Sequence, residues 1–304
     1  MTNVKRKTIK KSEWKRTAFI VGMLALPLLQ FAIFFLYVNF DTIRMSFEHV
    51  SGATGTLVRD EWSIKNYTFF FKDLKIDPLY LRAFKNSLIY GLNDLILLTV
   101  SVIFAYFFYK KVRGSNFFRV IFFLPSIISI VIYVMVYKYM FDPNMGNIVE
   151  KILGEGVPDF WSGEKEVLWI MIYCLWVGTG YNILIMGGAM GNLPEDVMEY
   201  SRLEGLSYPR ELFQIVIPMI WPTITVGILG AFTTMFTLYL QVDLLGAKSQ
   251  TRAESIAYII NNRVKSQRDL EMTAAIGVCF TIAAIPIIVI VRKVLDKLGR
   301  LFED

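Results

Sequence analysis

The sequence predicts an all-α membrane protein of six transmembrane helices with both termini on the cytoplasmic side. Of its 304 residues 55% are apolar and the mean hydropathy is +0.47, more than a water-soluble globule carries. The apolar residues fall in blocks long enough to cross about 30 Å of hydrocarbon at about 1.5 Å per residue. Lysine and arginine crowd at alternate ends of these blocks, as they do where a loop is retained on the cytoplasmic face.

The chain opens with a basic tail, Met1 to Thr17, in which Lys5, Arg6, Lys7, Lys10, Lys11, Lys15 and Arg16 face a single acid, Glu13. Ala18 to Phe40 is a first span, too long for a signal-peptide core and without a small-residue cleavage site. Asp41 to Lys85 is mixed and polar and reads as an outer loop with one short helix over Tyr67 to Lys72. The lone histidine, His49, and the sequon Asn66-Tyr67-Thr68 fall here; one histidine makes no zinc site, and such a tripeptide is common by chance. A second span, Asn86 to Tyr109, ends on Lys110, Lys111 and Arg113, with no acid nearby in the sequence. A third, Arg119 to Tyr139, carries Pro125 and is expected to kink there. Phe141 to Glu166 forms a second outer segment. The fourth span, Val167 to Met190, is rich in glycine, and Gly187-x-x-x-Gly191 fits close helix packing. A fifth span over Trp221 to Leu244, an outer segment over Leu245 to Glu271 and a sixth span from Met272 to Leu295 complete the chain. Four parts follow: residues 1–17, a basic tail; 18–85, the first span with its outer loop; 86–295, a core of five spans; and 296–304, a cytoplasmic tail.

The net charge of +6 raises nucleic acid as a partner, but the basic residues sit at span ends and no nucleic-acid binding is expected. On this topology 17 of the 32 lysines and arginines are cytoplasmic, so orientation rests on crowding at span ends rather than on totals. Cys174 and Cys279 each stand alone within a span as small buried hydrophobes. No catalytic cluster is visible, and nothing matches G-x-x-x-x-G-K-[ST]; Gly246-Ala247-Lys248-Ser249 lacks the glycine before the lysine. The chain is therefore expected to hydrolyse no ATP, and to bind no cofactor or metal directly.

One stretch breaks the apolar pattern. Asn192 to Pro222 carries Glu195, Asp196, Glu199, Glu204 and Glu211 with Arg202 and Arg210. Asn192 followed by Glu195 reads as a capping box, with Pro194 in the first turn. Gly205 offers a left-handed stop, Ser207 and Pro209 restart a second short helix, and Pro218 and Pro222 end it. The prediction is helix, tight turn, helix. A net-acidic loop beside an anionic membrane surface is explained by a protein partner that offers basic groups.

Glu199-Tyr200-Ser201, then Glu204-Gly205, then Ile215-Val216-Ile217-Pro218 resemble the EAA loop of ABC-importer permeases. The spacings from Glu199 to Gly205 and from Gly205 to Pro218 agree, while Tyr200 and Ser201 replace two alanines and Glu204 replaces an aspartate. Asn86-Ser87-Leu88, Phe118-Arg119, Leu124-Pro125 and Phe141-Asp142-Pro143-Asn144 with Gly146 and Asn147 resemble the same family, within it the carbohydrate-uptake group of maltose-type and glycerol-phosphate-type permeases. The resemblance covers Asn86 to Leu295 and implies the type I ABC-importer permease fold. It implies a second permease subunit, two separate ATPase subunits that hold ATP and magnesium, and an extracytoplasmic solute-binding protein. Glu195, Glu199, Arg202, Glu204 and Gly205 are then the ATPase-coupling residues. The chain departs from the family after the fifth span, where Gly246-Ala247-Lys248 replaces a glycine-rich turn.

Within the spans, polar groups are the candidates for a solute path. Thr233, Thr237 and Gln241 recur every four residues on the fifth span with Thr234 beside them, and Tyr181 and Asn182 share a turn of the fourth. Uncharged donors, acceptors and aromatic rings suit a sugar, whereas an anion calls for an arginine and mid-span arginine is absent. The bland alternative is that the threonines bond back to their own helix and the glycines only pack. Two carboxylates, Asp94 near the outer end of the second span and Asp243 at the outer end of the fifth, also stand where a solute could touch them. A non-sugar solute, or an ion-coupled secondary transporter built on such a carboxylate, is the alternative function.

Overall fold

The computed structural model describes residues 2–51, 58–60, 62–142, 148–154, 165–246, 252–267 and 269–302; the side chains of His49 and Arg202 lie outside the described residues, as do Asn144, Gly146, Asn147 and Ala247 to Ser249. By internal packing the chain divides into two units, Met1–Phe71 with Gln267–Val278, and Lys72–Ser266 with Cys279–Asp304.

In the first unit, α1 (Thr2–Phe31) runs into a π-helical stretch (Ala32–Tyr37) and then α2 (Val38–Ser46) without a break. Trp14–Ser46 is the apolar part, longer than the expected Ala18 to Phe40. Its large side chains are exposed on every face, Leu26 at 76% and Phe34 at 71%, the pattern of a helix solvated by lipid. The expected outer loop is more ordered than its composition suggests. A two-stranded antiparallel hairpin, β1 (His49–Ser51) with β2 (Val58–Asp60), pairs His49 with Asp60 and Ser51 with Val58, so the fold is not purely helical. The short helix is α3, Lys65–Ile76. Asn66 of the sequon is 3% exposed, and its Nδ2 donates to the carbonyls of Ser46 at 3.1 Å and Glu48 at 2.7 Å. Its amide satisfies the chain leaving α2, which explains the asparagine without a glycan.

The second unit is built around α4 (Pro78–Tyr109), α8 (Lys165–Gly191) and α12 (Trp221–Thr237). α4 starts eight residues before the expected Asn86, because Asp77 accepts from Leu79 N–H as its cap and Pro78 takes the first turn, where a missing N–H is harmless. Consequently Asp94 stands at the middle of the helix rather than near one end. Two clusters make the core. One joins Leu98, Val102 and Phe108 of α4 to Ile183, Met186 and Met190 of α8. The other gathers Tyr90, Tyr133, Tyr137 and Tyr173 with Ile170 and Val242.

The third span is broken, not kinked. α5 (Ser115–Ile127) and α6 (Ile130–Phe141) meet at 108°, and the turn falls at Ile128–Ser129, three residues past Pro125. Pro125 removes a helical hydrogen bond in the turn before it, whereas the break itself falls where Ile128 leaves helical backbone for φ −81° and ψ 143°. A second bend, of 81°, separates the segment Tyr208–Met219 from α12 at Ile220. Among the described residues four helices are long and apolar enough to cross a membrane, Trp14–Ser46, Pro78–Tyr109, Lys165–Gly191 and α15 (Leu270–Arg300); counting each bent pair as one span gives six. α7 (Ile148–Leu153) and α14 (Ile256–Lys265) are helices within segments expected to be loops.

The fifth span also ends early. α12 stops at Thr237, Leu238 and Tyr239 are non-helical, and α13 (Leu240–Leu245) starts a new short helix. Beyond it, residues 252–256 form an extended strap whose backbone is satisfied by side chains of α4 and α8. Asn86 Nδ2 donates to the carbonyls of Arg252 and Glu254 at 2.8 and 2.9 Å, Tyr90 OH to that of Ala253 at 2.8 Å, while Ser87 Oγ accepts from Ile256 N–H and Glu166 Oε2 from Arg252 N–H. This gives Asn86 and Ser87 a structural role: a buried irregular backbone needs side-chain partners.

Glycine packs closely in the fourth span, as its glycine content leads one to expect, but not at the G-x-x-x-G pair. A Cβ on Gly180 would lie 2.1 Å from the carbonyl oxygen of Phe122, so α5 and α8 touch backbone to side-chain-free backbone. Among the described residues no atom lies within 4 Å of a Cβ at Gly187 or Gly191, so the G-x-x-x-G pair packs against none of them. Gly180→Ala is expected to destabilise the purified chain by about 1–3 kcal/mol, read as a lowered thermal midpoint in detergent, whereas Gly187→Ala leaves the midpoint unchanged.

Candidate functional site

The polar loop folds as helix, turn, helix. α9 (Glu195–Leu203) begins with Glu195 and Asp196, whose charges favour a helix N-terminus. The capping box does not form. Asn192 Nδ2 instead donates to Gly188 O at 3.1 Å, closing the end of α8 rather than opening α9, because the backbone at Asn192 and Leu193 still bonds to Ala189 and Met190. The stop is as predicted: Gly205 has φ +68°, and Leu206 N–H reaches back to Ser201 O at 3.2 Å, a Schellman closure that needs the left-handed residue. α10 (Tyr208–Glu211), a π-helical stretch (Leu212–Val216) and α11 (Ile217–Met219) follow, with Ile217 N–H bonded to Leu212 O. The wider π turn accommodates Pro218 inside the segment, so Pro218 does not end it; the chain stops helical growth at Ile220.

The hairpin has two unlike faces. On the inner one, Met198 and Ser201 are 3% and 0% exposed, three residues apart on α9. Beneath them lies Glu211, 2% exposed and not part of the acidic surface its neighbours suggest. Its carboxylate meets Lys110 Nζ at 2.7 Å, accepts from Tyr106 OH at 3.0 Å, and lies 3.2 Å from Ser201 Oγ. The Lys110 ammonium stands 5.5 Å from the Tyr208 ring centroid and 5.8 Å from that of Tyr106. Lys110, which by sequence position has no acid close to it, therefore ties the end of α4 to both helices of the hairpin. The outer face is open. Glu195, Asp196, Glu199, Glu204 and Gly205 are exposed, and Leu203 stands at 86% beside Tyr200 at 61%. Glu204 accepts a hydrogen bond from Tyr200 and thereby raises that phenol above its ordinary pKa. Of the five predicted coupling residues, four share this outer face; the backbone of the fifth, Arg202, lies in α9.

The predicted path residues divide. Tyr181, Asn182 and Thr234 line one cavity of about 320 Å³ between α4, α8 and α12, together with Asp94, Thr223 and Gly227. Thr233, Thr237 and Gln241 do not line it. Thr233 Oγ1 donates to Leu229 O at 2.9 Å and Thr237 Oγ1 to Thr233 O at 3.1 Å, so their hydroxyls are satisfied by their own helix, and the break at Leu238 takes Gln241 off the stripe. Helical spacing could not reveal that break. Asp243 is likewise occupied: it pairs with Lys265 of α14, and this contact raises the lysine's pKa. Among the described residues no group of three or more histidine, cysteine or acidic side chains is placed to hold a metal.

Apolar spans, a polar cavity among them and a charged hairpin held to one span end define a membrane transport component. Residues 97–301, about two thirds of the chain, match the family described as binding-protein-dependent transport system inner membrane component, and the chain belongs to this family. It is similar to the arabinooligosaccharides transport system permease protein AraP of Halalkalibacterium halodurans, 25% identical over 83% of this chain and 79% of that protein. It is also similar to the multiple sugar-binding transport system permease protein MsmF of Streptococcus mutans, 24% identical over 98% of this chain and 99% of that one. Among solved structures, a chain of a bacterial ABC transporter involved in the import of the acidic polysaccharide alginate shares the fold, with a TM-score of 0.78 at 19% identity, covering 94% of this chain and 98% of that chain.

The buried pair gives a direct test. Lys110→Met leaves the Glu211 carboxylate buried without its cation and is expected to destabilise the chain by about 3–5 kcal/mol. Lys110→Met combined with Glu211→Leu removes both charges and is expected to recover most of that loss, measured as thermal midpoints of the solubilised protein.

Proposed function

We propose that the chain is one permease subunit of an ATP-driven, binding-protein-dependent importer of oligosaccharides in the cytoplasmic membrane. Family membership supports the transport role, and the arabinooligosaccharide and multiple-sugar relatives support the solute class. Its partners in this proposal are a second permease of similar fold, two ATPase subunits that hold ATP and magnesium, and an extracytoplasmic binding protein. Both termini and the hairpin face the cytoplasm.

The observation that carries the proposal is the division of the hairpin into a bolted inner face and a bare outer one. A helix whose exposed side presents Glu195, Glu199, Glu204 and Leu203 is suited to a groove with basic and apolar groups, and none of the described residues covers it. ATP binding closes the partner ATPases and displaces α9. Because Met198, Ser201 and Glu211 fix the hairpin to Lys110 and Tyr106, the displacement passes to α4 as a rigid-body movement, and through α8 and α12 it changes which end of the cavity is open. Tyr181, Asn182 and Thr234 then offer an aromatic face, an amide and a hydroxyl to the sugar.

Gly205→Pro forbids the positive φ on which the turn depends. It is expected to abolish ATP-coupled uptake while the chain stays in the membrane at normal abundance; wild-type transport by this variant removes the hairpin from the coupling route. Uptake that survives ATP depletion and collapses with the proton gradient overturns the ATP-driven mechanism itself.

A further inference from the structure

Among the described residues Asp94 is the one charged side chain lining the cavity between α4, α8 and α12. It lies at the middle of a 32-residue apolar helix, where an ionisable group is costly and is retained for a function. Among the described residues Thr234 shares the cavity wall with it, and no basic group lines the wall. Around it stand Tyr181, Asn182 and Thr223, all uncharged. A carboxylate without a counter-ion, in a cavity walled by Leu97, Leu98 and Met186, focuses a negative potential on whatever enters.

We infer that Asp94 is a specificity-determining residue of the solute path, which admits neutral or amino-bearing cationic saccharides and rejects anionic ones such as uronic acids and sugar phosphates. The inference rests on the proposed transport function for the nature of the solute. Its electrostatic core, a single carboxyl side chain in an otherwise uncharged cavity wall, stands on geometry alone. Asp94 accepts hydrogen bonds from sugar hydroxyls or pairs with a sugar ammonium; an anion meets repulsion and finds no guanidinium or ammonium in the wall to offset it.

The test replaces Cys174 and Cys279 with alanine and places a reporter thiol in the wall, Ile185→Cys in one protein and Val226→Cys in a second. Native membrane vesicles, which keep whatever subunits accompany the chain, are treated with a cationic trimethylammonium and an anionic sulfonate methanethiosulfonate, with and without ATP. Both reagents need the same thiolate, so the ratio of their rates reports the local potential and not the reporter's own pKa. The expected ratio strongly favours the cation and falls about tenfold or more on adding Asp94→Asn, with Asp94→Ser as the second variant. A ratio unchanged by both substitutions, or two reporters that neither reagent reaches in either condition, overturns the inference. These readings need no transport, so a failed coupling experiment at Gly205 leaves them interpretable, and an unchanged ratio leaves the importer proposal standing.

Discussion

The contact between Glu211 and Lys110 is the constraint on which the second unit's organisation depends. A buried carboxylate and a buried ammonium at 2.7 Å each lose hydration, and the loss is tolerable only with good geometry and further hydrogen bonds. Tyr106, Ser201 and the ring of Tyr208 supply those neighbours. The consequence is directional: one side of the hairpin cannot move without α4, and the other is free to be held by something else. A partly satisfied network in this position would leave a loose hairpin, unable to transmit displacement in either direction.

The same need to satisfy polar groups shapes the irregular parts of the chain. Where backbone leaves a helix inside the second unit, side chains meet it: Asn86, Ser87, Tyr90 and Glu166 hold the 252–256 strap. The bends of 108° and 81° fall beside prolines that have already removed helical hydrogen bonds. At Gly180 α5 lies against α8 backbone with no room for a methyl group, and Gly91, Gly178, Gly227 and Gly299 are closely approached by the side chains of Met235, Leu97, Leu98 and Trp221.

The cavity shows why polar residues in a span need sorting by geometry. Thr233 and Thr237 look like a hydrophilic stripe, yet each returns its hydroxyl to the carbonyl four residues back. Thr234 does the same at 3.2 Å and still lines the cavity, because it faces Asp94 across from Tyr181 and Asn182. Orientation around the helix, more than chemical type, separates a path residue from a self-satisfied one.

By itself the sequence determined the apolar spans, the helix–turn–helix of the loop and the left-handed stop at Gly205. These depend on hydropathy, length and backbone sterics, all of which are local. The outward side of α9 was legible for the same reason, since charged residues at helical spacing need water or a partner. Only tertiary structure decided that Glu211 is buried while Glu199 and Glu204 are exposed, that Asp94 shares a cavity with Thr234, that the third span is broken rather than kinked, and that Gln241 is cut off from Thr237. Each of those outcomes rests on a partner distant in the chain, Lys110 for Glu211 or Thr234 for Asp94, or on a backbone break whose position is set by packing. Local pattern carries no record of which distant group will be there.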